Sequence, residues 1–97
     1  MKKIICFDVD GTLIGEKDQP NWSIINMLKT LSDCGHTIIV WSGGGKDYAE
    51  IWVKRLFLDN YVSECRMKPR IAEDLLDEID VSFDDEDVTL AKCNIKI

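Results

Sequence analysis

Ninety-seven residues, 45% hydrophobic and 31% charged, describe one domain near the small end of what buries a self-sufficient core. That apolar share excludes a disordered chain, and no apolar run approaches the length of a membrane span. The formal net charge of −6, from 18 acidic against 12 basic residues, argues against broad binding to nucleic-acid phosphates while leaving contact with a strand end open.

In chain order, Ile4 to Phe7 form a short apolar run, read as a buried strand. It gives way to Asp8-Val9-Asp10-Gly11-Thr12, two carboxylates spaced i and i+2 before a glycine that lets the backbone bend away. An acidic turn at a strand end would look the same in isolation. Met1-Lys2-Lys3 faintly imitates a signal peptide, but the apolar stretch behind it ends too soon. Gly15 to Gln19 is polar and turn-like. Pro20, Asn21 and Ser23 then supply helix-start chemistry, and Ile24, Ile25, Leu28 and Leu31 line one face of a helix that stops near Gly35.

Thr37 to Trp41 is a second, β-branched strand, broken by Ser42-Gly43-Gly44-Gly45. Ala49, Trp52, Val53, Leu56 and Phe57 recur at helical spacing. Tyr61 to Arg66 predicts a third strand, and Pro69 the first turn of a helix carrying Ile71, Leu75, Leu76 and Ile79. Val81 to Phe83 is a fourth strand ending on Asp84-Asp85, and Cys93 to Ile97 a fifth at the sheet edge. Half of the acidic residues fall between positions 73 and 87, mostly as a solvated face. Strands alternating with helices predict an α/β fold: a Rossmann-like three-layer sandwich on a mostly parallel sheet of four to five strands. Residues 1–97 are expected to form a single domain.

Cys6, Cys34, Cys65 and Cys93 show no C-x-x-C pair and no histidine cluster. Cys6 and Cys65, inside apolar runs, read as small buried hydrophobes, and a reduced, cytoplasmic protein is expected. His36 is expected in an exposed turn without a catalytic role. Trp22, Trp41 and Trp52 read as packing residues, with Trp41 a candidate wall of a pocket beside Ser42. Arg66 and Arg70 flank Lys68 and are expected to pair with surface acids.

Four strand-end features converge on one edge of such a sheet: Asp8 with Asp10, Ser42 with its glycines, Lys68, and Asp84 with Asp85. Each suits one part of phosphoryl transfer. A carboxylate can attack phosphorus, and a second can protonate the leaving oxygen and later activate water. A hydroxyl, glycine amides and a lysine can hold phosphate oxygens. Clustered carboxylates call for a hard cation, and Mg²⁺ fits such a set.

These residues resemble the haloacid dehalogenase superfamily of aspartate-dependent phosphatases. Asp8-Val9-Asp10-Gly11-Thr12 matches its D-x-D-G-T motif in full. Ile38 to Ser42 matches the apolar strand ending in a hydroxyl, Lys68 the lone lysine, and Val81 to Asp85 the strand ending in paired aspartates. The resemblance implies Asp8 as nucleophile and Asp10 as general acid/base, with Ser42, Gly43 and Lys68 on the phosphoryl group. It implies Mg²⁺ held by Asp8, the Asp10 carbonyl and one of the paired aspartates. Asp85 is the favoured ligand with Asp84 orienting Lys68, and the reverse arrangement stays open. The presence of Asp10 points to a phosphatase rather than a dehalogenase or phosphonatase.

Relatives often carry a cap domain. Here Asp10 and Ser42 stand 32 residues apart and Ser42 and Lys68 26, so no cap is expected and the site should be open. Shielding then falls to a bulky substrate on a monomer, such as a nucleic-acid end or a phosphoprotein, or to a neighbouring subunit in a small homo-oligomer. A small phosphorylated metabolite is the further option, and no membrane partner is expected. A catalytically slow phosphate-binding or regulatory module, or an interaction domain using its acidic edge, are the competing readings.

Overall fold

The computed structural model describes residues 2–70 and 78–97. Among them run strands β1 (Ile4–Asp8), β2 (Thr37–Ser42), β3 (Glu64–Met67), β4 (Val81–Asp84) and β5 (Cys93–Lys96), with helices α1 (Trp22–Asp33) and α2 (Lys46–Arg55). The strands form one sheet in the order β3-β2-β1-β4-β5, and every pairing is parallel. β1 and β2 are central and buried on both faces, which explains their uninterrupted apolar runs.

Alternation divides the strand side chains between two cores. Ile5 and Phe7 of β1 and Ile38 and Val40 of β2 pack with Ile24, Ile25 and Leu28 of α1 and Ala49, Trp52 and Val53 of α2. The chain steps from β1 to β2 to β3 in one direction across the sheet, so both helices cover the same face. Cys6, Ile39 and Trp41 point the other way and pack with Ile79, Leu90 and Ala91. The helix expected over Ile71, Leu75 and Leu76 lies outside the described residues. Ile79, expected on its face, instead leads into β4, buried, with its carbonyl accepting from Lys92 N–H at 3.0 Å.

Both helices end in the same hydrogen-bond pattern. After α1, Gly35 N–H bonds Ser32 O and His36 N–H bonds Leu31 O, with Gly35 at φ +93°. After α2, Phe57 N–H bonds Lys54 O and Leu58 N–H bonds Val53 O, with Phe57 at φ +57°. Phe57 therefore occupies a glycine-favouring position and is 85% exposed, not on the buried face that its spacing predicted. The chain has already left the helix there, and Leu58 takes the core place. β3 begins later than expected because Tyr61 and Val62 are tied to the Leu58 carbonyl in the turn before it.

His36 is half-buried rather than exposed: its Nδ1 accepts from Lys3 N–H at 3.0 Å, joining the starts of β1 and β2. Cys6 is fully buried, Cys65 only half-buried, and all four cysteines are free. Arg66 pairs with Glu64 and Glu78 on the surface. No helix among the described residues is long and apolar enough to cross a membrane.

Candidate active site

Four strand ends deliver the polar groups to one recess of about 400 Å³, lined by Asp8, Asp10, Ser42, Gly43, Lys68 and Asp85 among others. β1 ends at Asp8, whose carboxylate is buried. Beyond it the chain closes tightly: Leu13 and Ile14 N–H both donate to Val9 O, at 3.0 and 3.1 Å. This turn leaves Asp10 exposed on the rim of the recess that Asp8 enters from below. Both aspartates thus face one site, although the strand itself supplies only the first.

At the end of β2, Ser42 is buried and its carbonyl accepts from Gly45 N–H at 3.1 Å and Lys68 N–H at 2.8 Å. The second bond carries the β2–β3 ladder past Met67 and places Lys68 beside the end of β2, from where its side chain reaches Asp8. Ser42 Oγ accepts from Gly44 N–H at 3.0 Å. Gly45 stands at φ +111° as the residue that opens α2, which accounts for one of the three glycines; Gly43 lines the recess.

Lys68 Nζ lies 3.0 Å from Asp84 Oδ2 and 3.4 Å from Asp8 Oδ1. The other Asp84 oxygen accepts from Glu86 N–H at 3.0 Å, so the fully buried Asp84 has both oxygens engaged. Asp85, the next residue, is exposed and turns its carboxylate towards Gly11. A Cβ on Gly11 would stand 2.2 Å from Asp85 Oδ2, and Gly11 also holds φ +83°. Glycine there both bends the chain and makes room for the second carboxylate.

Burial, then the charge of Asp84, pushes the Asp8 carboxyl up to about 7 against the opposing pull of Lys68. Burial alone would lower the Lys68 ammonium, but its bond to Asp84 and the nearby Asp8 charge hold it above its ordinary value. The site therefore carries more carboxylate than one lysine balances.

Asp8, Asp84 and Asp85 each present a carboxylate oxygen, all within 4.8 Å of one another. Such all-oxygen donors fit a small hard cation. Among the described residues Asp84 has both oxygens engaged, by Lys68 and Glu86 N–H, whereas Asp8 is bonded through Oδ1 alone and Asp85 by neither group.

One contact was not anticipated from sequence. Tyr48 Oη donates to Asp10 Oδ1 at 2.8 Å. Its ring lies over Gly44, where a Cβ would come within 3.3 Å. The available signal was its position in the first turn of α2, directly after the glycines. Trp41, by contrast, does not wall the recess: it is fully buried in the opposite core because it alternates with Ser42 along β2.

A family model of haloacid dehalogenase-like hydrolases matches residues 5–66, a span that includes Asp8, Asp10 and Ser42 and stops before Lys68 and the paired aspartates. No curated protein and no solved structure matches the chain.

Proposed function

The chain belongs to the haloacid dehalogenase-like hydrolases, and we propose that within them it is a Mg²⁺-dependent phosphomonoester hydrolase working through an aspartyl-phosphate. The observation that carries this reading is the meeting of Asp8, Lys68 and Asp85, from three separate strand ends, in a recess that Asp10 overhangs.

In this reading the phosphoryl group of the substrate lies between Ser42 Oγ, the Gly43 amide and Lys68 Nζ, which together offset the charge on its oxygens. An Asp8 oxygen attacks phosphorus as the bond to the leaving oxygen breaks, and Asp10 donates its proton to that oxygen, releasing the alcohol. Asp10, now ionised, takes a proton from water. The water oxygen attacks the phosphorus of the acyl phosphate, freeing inorganic phosphate and restoring Asp8. Lys68 is held by Asp84 throughout, so its charge stays aimed at the reacting group.

Asp8, the Asp10 carbonyl and Asp85 would hold Mg²⁺, which when bound supplies the positive charge that keeps Asp8 ionised and neutralises the phosphoryl oxygens. Asp8 must be deprotonated to attack, and a cation beside it would favour that form against the burial and the Asp84 charge that raise its pKa.

Turnover of p-nitrophenyl phosphate with Mg²⁺, with chelator, and by Asp8→Asn tests the reading. Metal-dependent release of nitrophenol that Asp8→Asn abolishes is expected. Absence of turnover across a panel of phosphomonoesters would leave a phosphate-binding module.

A further inference from the structure

β3 is one edge of the sheet, and among the described residues no strand pairs with its outer side. Thr37 N–H bonds Lys3 O, so the odd-numbered residues of β2 bond β1 and the even-numbered ones bond β3. Opposite them, Lys68 N–H bonds Ser42 O, and by the same alternation Glu64 and Arg66 also turn their backbone groups to β2. The N–H and C=O groups of Cys65 and Met67 therefore face outward, a template for another strand. We propose that this edge pairs antiparallel with β3 of a second copy, about a two-fold axis that sets Cys65 opposite its counterpart, joining two sheets into one.

Charge selects both the partner and the register. The Glu64 and Arg66 side chains share one face of β3, where they pair with each other and Arg66 also meets Glu78. With the axis at Cys65, Glu64 of each copy stands directly across from Arg66 of the other. These are the non-hydrogen-bonded positions, where Cα atoms come within about 4.5 Å and side chains lie closest. The four charges then form a square in which every neighbour has the opposite sign. Moving the axis by one residue sets Glu64 against Glu64 or Arg66 against Arg66, and like charges across strands repel. β5, the other edge, carries Lys96 and no acidic residue, so a copy of itself offers no such pairing.

The opposite face supplies an apolar contact. Met67 follows Cys65 onto the α2 side, its methyl end by Gly45, and 64% of it is exposed. In the proposed register it stands across from Ser63 of the second copy. Ser63 borders a groove of about 370 Å³ between α2 and β3 that also takes in Val53, Val62 and Cys65. Met67 of each copy would cover part of the other's groove, burying apolar surface that now meets water. Because the paired strands run in opposite directions, the two Asp8 recesses would open on opposite edges of the joined sheet.

Sedimentation equilibrium of the wild-type chain, with amide hydrogen exchange followed along the same dilution series, tests the pairing. A monomer–dimer equilibrium is expected below about 1 mM, with exchange at Cys65 and Met67 slowing as the dimer fills. Glu64→Arg and Arg66→Glu should each weaken self-association by about tenfold or more, since each sets like charges across the axis. Mixed in equal amounts, the two variants should associate with each other at close to the wild-type affinity, because two arginines then face two glutamates. Circular dichroism confirms that each variant is folded. A wild-type chain that stays monomeric to about 1 mM would overturn the proposal. So would a wild-type dimer whose exchange at Cys65 and Met67 does not change with concentration, a result that depends on no variant. Single variants that dimerise as the wild type does, or a mixture that fails to associate, would overturn it as well.

Discussion

Tyr48 and Asp10 stand 38 residues apart in sequence and are joined by a 2.8 Å hydrogen bond in which the phenol donates to the carboxylate. That bond raises the pKa of Tyr48, so the phenol remains a donor at neutral pH. It ties the side chain of an otherwise exposed Asp10 at the recess, where the proposed reaction needs its general acid. Tyr48→Phe keeps the ring over Gly44 and deletes only the bond. A loss of roughly tenfold in kcat is expected for alkyl phosphates, and a smaller one for p-nitrophenyl phosphate, whose leaving oxygen needs little protonation. Equal losses on both substrates would mean that Tyr48 does not act through Asp10.

Asp10→Asn should be more severe, roughly 10²–10⁴-fold on alkyl phosphates, again with a smaller loss on the activated ester. Comparing the two variants across the same leaving-group series separates positioning of the acid from the acid itself.

Gly11→Ala places a Cβ against the Asp85 carboxylate, at a φ that L-residues disfavour by about 1–2 kcal/mol. Asp85 must move, so Mg²⁺ affinity should fall by about tenfold or more while the fold survives. Asp85→Ala should lower affinity similarly. Asp84→Ala should act differently: it strands Lys68 beside Asp8 and should destabilise the protein by about 3 kcal/mol, the scale of a broken buried ion pair. Magnesium titration and denaturant unfolding of the three variants measure both effects.

The raised Asp8 carboxyl carries a pH signature in the metal-free protein. Its proton is bound more tightly in the folded chain than in the unfolded one, so it contributes stability that is complete below pH 3.8 and is lost as pH rises through about 7. The loss is about 4 kcal/mol at most. Asp8→Asn has no such proton. In chelator, the variant should therefore gain on the wild type between pH 4 and 7, read as the difference of their unfolding midpoints.

Phe57 offers a test of the fold alone. It closes α2 in a left-handed conformation while 85% exposed. Phe57→Gly removes that strain without opening the core, and should stabilise the protein by about 1 kcal/mol, raising Tm by roughly 5 °C.

Much of this protein was legible in its residues because strong local patterns and tertiary demands agree. Ile4 to Phe7 and Thr37 to Trp41 are apolar without interruption because parallel central strands are buried on both faces, and β1 and β2 follow them closely. Asp8, Ser42, Lys68 and Asp84 each directly end or follow a strand, and parallel strands bring such ends to one edge, so their convergence follows from order alone. What spacing could not supply were the facts that depend on distance between elements. Helical periodicity runs through Phe57, yet the backbone turns left-handed there because Leu58, not Phe57, fills the core. Asp84 and Asp85 are chemically identical neighbours. Only the packed structure separates them, burying one under Lys68 and turning the other towards a glycine with room for it. Tyr48 looks like any helix-surface tyrosine until α2 is docked on the sheet, because a hydrogen bond across 38 residues leaves no periodic trace in the chain.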